Sequence, residues 1–144
     1  MEAGFMAGVS NGEGDFYATA AAAYEYPIAN RAVLGLKAIP LFLYFEDDSD
    51  AIYGAGLGAE TRIFLQEDKG YAGLFVQAGI TMLWQADYME DNGSRVNFAT
   101  AIGAGYEFGN HISVALKFEH ISNAGLDEPN AGANGLGIVI GRRF

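Results

Sequence analysis

Two side chains in this sequence pair a base with a nucleophile at a spacing that a β-strand would bring together. His120 and Ser122 are two positions apart, and in a strand residues i and i+2 point to the same side. An imidazole beside a hydroxyl can take the serine proton and so activate the oxygen for attack on an acyl carbon. The same face runs back through Ile112, Val114, Leu116 and Phe118, a row of bulky apolar groups. An ionisable group at the end of a lipid-facing row is costly, which makes a task its default explanation. The plainer alternative is a strand end with two polar residues reaching the headgroup layer, and His-x-Ser alone does not separate the two. The other histidine, His111, lies beside the tight turn at Gly109–Asn110 and reads as structural.

Other chemistries are excluded or weak. Cysteine is absent, which removes thiol nucleophiles, disulfides and zinc–thiolate sites. Acidic residues outnumber basic ones by 18 to 8, the wrong sign for gripping the phosphates of nucleic acid. Gly54-x-Gly56-x-Gly58 has no strand-then-helix setting and is followed by Glu60, so it reads as strand glycine and not as a nucleotide loop. The acidic run Glu46-Asp47-Asp48-Ser49-Asp50 lacks the spacing and bidentate closing residue of a calcium loop and reads as a solvated outer loop. No metal and no cofactor are expected.

The elements that must position His120 and Ser122 are β-strands. With 51% hydrophobic residues the chain is too apolar for disorder, and 20 glycines are too many for a helical domain. At 144 residues it is expected to form a single domain over 1–144. No stretch suits a membrane helix: the longest charge-free run, Tyr71 to Ala86, is broken by Gly73, Gln77, Gly79 and Gln85. Eight segments alternate with period two: Ala3–Ser10, Phe16–Ile28, Ala32–Phe45, Ile52–Gln66, Tyr71–Gln85, Val96–Phe108, Ile112–Ser122 and Gly135–Phe144. Short links (Ala29–Arg31, Glu67–Gly70, Gly109–His111) alternate with connections that are mostly longer and more polar (Asn11–Asp15, Glu46–Ala51, Ala86–Arg95, Asn123–Asn134). That rhythm predicts an eight-stranded antiparallel up-and-down transmembrane β-barrel of the outer-membrane type, all-β in class.

The faces agree. Leu74, Val76, Ile80, Ile112, Val114, Leu116 and Phe118 are expected outside, with Glu60, Arg62, Lys117 and Glu119 paired in a narrow lumen. The third segment is apolar on both faces, and its Pro40 suggests a bulge. Tyr24, Tyr26, Tyr44, Trp84, Tyr88 and Tyr106 lie near strand ends and read as an interface girdle. The last strand ends on Phe144, as the recognition signal of outer-membrane proteins does. Met1-Glu2 carries no leader; read literally that means cytoplasm, but the strand pattern favours a removed signal peptide and a bacterial outer-membrane location.

The residues that follow His120 sharpen the reading. The run is His120-Ile121-Ser122-Asn123-Ala124-Gly125-Leu126-Asp127-Glu128-Pro129-Asn130-Ala131-Gly132. It resembles the His-x-Ser-Asn-Ala-Gly-Leu-x-x-Pro-Asn-x-Gly signature of the lipid A 3-O-deacylase (PagL) family, outer-membrane acyl hydrolases. The resemblance is specific in this run and architectural elsewhere. It implies a barrel with its active site on the lipid-facing outer wall, and a serine esterase that releases an ester-linked acyl chain from lipid A without a cofactor. Ser122 would be the nucleophile and His120 the general base. The family's acid lies two positions after the signature glycine, and here that position is Asn134.

Asn134 shares parity with Leu136, Ile138 and Ile140 and so should face the lipid side with His120. Its carbonyl can accept the Nδ1–H bond and fix the tautomer, but an amide cannot offset the imidazolium charge. Asp127 and Glu128, in the loop, rank behind it. Asn123, Gly125 and Asn130 are the expected oxyanion or positioning residues, with Gly125 and Gly132 permitting the turns that aim them. Strand topology places the pair independently: the seventh segment runs away from the termini, so His120 and Ser122 reach the outer leaflet, where lipopolysaccharide presents its ester bonds. The competing expectations are a non-enzymatic barrel with a structural or adhesive role, an inactive family member, and a soluble barrel with lipid inside.

Overall fold

Alternation in the sequence becomes an inside and an outside. The computed structural model describes residues 2–10, 15–46, 51–66, 70–89 and 92–144. Its strands are β1 (Glu2–Ser10), β2 (Phe16–Ala29), β3 (Ala32–Phe45), β4 (Ile52–Phe64), β5 (Gly73–Gln85), β6 (Val96–Glu107), β7 (Ile112–Ser122) and β8 (Ala133–Arg143). Each pairs antiparallel with its sequence neighbour, and β1 pairs with β8 to close the barrel. Closure leaves no edge strand with unpaired amides, the condition for a sheet to stand in hydrocarbon. On β7, Leu116 and Phe118 are 54% and 44% exposed while Lys117 and Glu119 between and beside them are 5% and 6% exposed. Leu74, Val76, Ile80 and Val114 are likewise outside, and Arg62 is buried. A soluble barrel would show the reverse arrangement.

The lumen is filled in layers. Toward the end that carries His120 and Ser122, Tyr17, Phe42, Tyr44, Ile52, Leu83, Met89 and Ile121 form an apolar plug. Below it an ion-pair ladder descends: Glu119 to Lys117 (2.9 Å), Lys117 to Glu60 (3.8 Å), Glu60 to Arg62 (3.5 Å), and Arg62 to Glu25 (3.4 Å). It continues from Glu25 to Arg143 (2.9 Å) and from Arg143 to Glu107 (2.7 Å), with Lys37 joining at Glu60. Every charge in the ladder touches one of opposite sign, which is what makes burial tolerable. Phe64, Phe75 and Tyr71 fill the space around the lower rungs.

Pro40 does mark a bulge. The registers of β2–β3 and β3–β4 shift beside it, between Ala20 and Ala22 and between Ile39 and Phe42. One inserted residue flips the side-chain parity. Val33 and Ile39 face inward before the bulge, and Phe42 and Tyr44 face inward after it. That explains a strand apolar on both faces, and it corrects the expectation for Tyr44. This residue is 2% exposed and donates its hydroxyl to Asp15 Oδ2 at 2.7 Å, so it belongs to the plug and not to the girdle. Tyr24, Tyr26, Trp84 and Tyr88 are exposed as expected. Asp47, Asp48, Ser49 and Asp50 of the acidic loop lie outside the described residues.

Candidate active site

β7 delivers His120 and Ser122 to the outer wall at its far end, each half-buried. The strand carries them there because inward positions are taken by Lys117, Glu119 and Ile121, which fixes the parity. On one side, the β7–β8 register sets Asn134 directly opposite His120. β8 begins at Ala133, two residues before the sequence pattern suggested, so Asn134 is held in the sheet instead of in a loop. Its Oδ1 lies 2.8 Å from His120 Nδ1. An amide oxygen can only accept, so Nδ1 carries the proton and Nε2 is left as the ring's proton acceptor. Ser122 is the next side chain on that face. On the other side, β6 sets Thr100 opposite His120 and Phe98 opposite Ser122.

The loop that follows Ser122 is organised by Asn123, which is fully buried. Its Nδ2 donates to the carbonyls of Asp127 (2.7 Å) and Pro129 (3.2 Å), and its Oδ1 accepts the N–H of Gly125 (2.8 Å). Its backbone N–H donates to Asn130 Oδ1 at 2.9 Å, which leaves Nδ2 as the half of the Asn130 amide that can donate. Ala124 and Gly125 adopt left-handed φ values of 54° and 79°, the turn this network closes. Asp127 and Glu128 are exposed, and the Asp127 carboxylate accepts the N–H of Glu128 at 2.9 Å. Of the three acid-position candidates, Asn134 is the one hydrogen-bonded to the imidazole.

Gly132 closes the site from above. Its φ is +72°, and a Cβ there would stand 2.7 Å from the Ile121 carbonyl oxygen, 3.2 Å from His120 Cε1 and 3.2 Å from Ser122 Cβ. Only glycine lets the returning chain lie this near the histidine and serine. The residues expected from the sequence, His120, Ser122, Asn134 and the loop over 123–130, lie together at this end of the outer wall. Thr100 and Phe98 were not among them: their outward parity was legible but their register against β7 was not.

Comparison with known proteins gives the family and the fold. Residues 10–143 match the family model described as lipid A 3-O-deacylase (PagL). The chain belongs to the lipid A 3-O-deacylase (PagL) family. A stretch of 61 residues is 43% identical to the lipid A deacylase PagL of Pseudomonas aeruginosa strain PAO1, covering 40% of this chain and 35% of that protein. The crystal structure of the outer-membrane enzyme PagL superposes over 100% of both chains with a TM-score of 0.81 at 18% identity. Neisserial surface protein A superposes with a TM-score of 0.61 at 11% identity, over 99% of this chain and 95% of that one. At such identities these two likenesses are of fold. Family and fold together make this PagL-family chain an outer-membrane β-barrel.

Proposed function

We propose that this PagL-family barrel is a serine esterase that removes an ester-linked acyl chain from lipid A at its outer wall. The observation that carries the reading is the 2.8 Å contact of His120 Nδ1 with Asn134 Oδ1, with Ser122 the next side chain on the same lipid-facing surface. In the reaction, Ser122 Oγ attacks the ester carbonyl while His120 Nε2 takes the hydroxyl proton. The tetrahedral intermediate collapses with cleavage of the bond to the sugar oxygen, and the imidazolium returns its proton to that oxygen. The deacylated lipid leaves. Water, with His120 again as base, then cleaves the acyl-serine ester and frees the fatty acid and Ser122.

Asn134 orients the imidazole and fixes its tautomer, taking the place of the family's acid. Asn130 Nδ2 is the side-chain donor we assign to the oxyanion, because the backbone N–H groups of Asn123 and Gly125 are already bonded inside the loop and serve to position it. The barrel supplies the rest. An outer-wall site needs no channel for a lipid substrate, which arrives by diffusing within the leaflet. Phe98, Phe118 and Leu136 line the wall beside and below the pair, offering apolar surface to an acyl chain.

The test uses detergent-refolded protein and the p-nitrophenyl ester of a medium-chain fatty acid. Ser122→Ala and His120→Asn are each expected to lower turnover by more than about 10³-fold, and the double variant to be no worse than either single one. All three should keep the heat-modifiable gel mobility of a folded barrel. Turnover retained by either single variant contradicts the assignment.

A further inference from the structure

In the β5–β6 loop, Asn92 and Gly93 meet the loop that follows Ser122. Gly93 donates its backbone N–H to the Pro129 carbonyl at 2.7 Å, and the same carbonyl accepts Asn123 Nδ2 at 3.2 Å. One oxygen thus ties the β5–β6 loop to the buried side chain of the residue next to Ser122. Asn92 pairs with Asn130 as an isolated antiparallel bridge, one residue along. The approach is close enough to require glycine: a Cβ at Gly93 would stand 2.2 Å from the Glu128 carbonyl oxygen and 3.0 Å from Pro129 N. The loop has a fixed base of its own. Asn92 is 1% exposed and its N–H donates to the carbonyl of Met89 (2.9 Å), whose side chain is buried in the apolar plug.

We propose that Asn92 and Gly93 are positioning residues for the acyl hydrolysis, clamping Pro129 and Asn130 against the segment that carries Ser122. The inference rests on the hydrolase reading and deepens it. The clamp acts on both ends of the site. It holds Asn130, whose Oδ1 receives the Asn123 N–H and whose Nδ2 would meet the oxyanion. It also holds the chain that leads into Gly132, which packs on His120 and Ser122. A preorganised donor costs no reorganisation as charge develops, whereas a loose one does. The clamp therefore belongs to kcat and not to substrate binding.

Two variants test it in the refolded, full-length barrel. Gly93→Ala forces the loops apart, and replacing residues 87–94 with a short Asn-Gly turn removes the clamp without adding a clash. Each is expected to lower kcat for the p-nitrophenyl ester by about 10- to 100-fold with KM changed by less than about threefold, the scale set by a small misplacement of catalytic groups. Gly93→Ala should slow the Asn130→Ala variant by less than it slows the wild type, because only the Gly132 end of the clamp is then left to lose. Hydrogen exchange should accelerate in residues 123–132 while β5 to β8 stay protected. A folded loop-replacement variant with wild-type kcat, or unchanged exchange in 123–132, overturns the clamp. Ser122→Ala run in parallel keeps the two ideas apart: activity surviving there overturns the hydrolase reading, while exchange still reports on the clamp.

Discussion

Asn134 stands where the sequence resemblance leads one to expect an acid, and the contact it makes defines what an amide can and cannot do. Its Oδ1 sits 2.8 Å from His120 Nδ1, so it sets the tautomer that leaves Nε2 free to take a proton. It brings no negative charge to meet the imidazolium. In a serine triad, replacing the carboxylate by an amide lowers kcat by about 10⁴ when the tautomer comes out wrong; with the tautomer right, the loss is the missing charge alone. Asn134→Glu is therefore expected to raise kcat by on the order of 10-fold. Asn134→Ala is expected to lower it with KM nearly unchanged, because orientation matters mainly in the transition state. Steady-state kinetics on a chromogenic ester check both. If neither substitution moves kcat, Asn134 is not the orienting group.

Asn130 makes a second residue-scale prediction. Asn130→Asp keeps an oxygen for the Asn123 N–H but replaces the donor with a second acceptor. Loss of one oxyanion donor costs about 10²- to 10³-fold in kcat, and that loss is the expected result. These residues were legible in the sequence because the signature is local and parity in a strand is arithmetic. Asn92 and Gly93 were not. They meet the site across space, and a glycine in a polar loop looks like any other turn residue until the neighbouring chain is in view.

At the scale of the element, the β7–β8 hairpin is the unit that assembles the site. Its register puts Asn134 opposite His120, and its return leg lies over the pair at Gly132. Gly132→Ala would push a methyl group toward the Ile121 carbonyl and adopt a left-handed backbone that alanine disfavours. Turnover should fall by about 10²-fold, while the barrel still refolds and shows heat-modifiable mobility. Wild-type turnover in that variant would mean that the hairpin tolerates displacement. The eight strands were legible from alternation alone. β3 was the exception, because its bulge at Pro40 reverses parity midway and hides which of its apolar residues face inward. Tyr44 differs from its expected place for that reason: its position near a strand end suggests the membrane interface, and only the bulge turns it into the plug.

At the scale of the whole molecule, the inverted barrel puts lipid outside and charge inside, with an apolar layer across the lumen at the end that carries His120. The apolar plug sits above a ladder in which each buried charge contacts an opposite one. Breaking one rung leaves its partner buried and unpaired. Lys117→Met is therefore expected to destabilise the barrel by about 3–5 kcal/mol, and Lys117→Met/Glu119→Leu by less, because it removes both members of one contact. Urea unfolding in lipid vesicles measures both.

Whether His120 and Ser122 on the outer wall cleave an acyl ester of lipid A is decided by mass spectrometry of lipid A itself. The refolded protein is incubated with lipid A in detergent micelles beside an equal amount of Ser122→Ala. Wild type is expected to convert lipid A to a product lighter by one ester-linked acyl chain, with the free fatty acid appearing in equal amount, and Ser122→Ala to convert none. Unchanged lipid A with folded wild-type protein, or equal conversion by Ser122→Ala, would contradict that assignment.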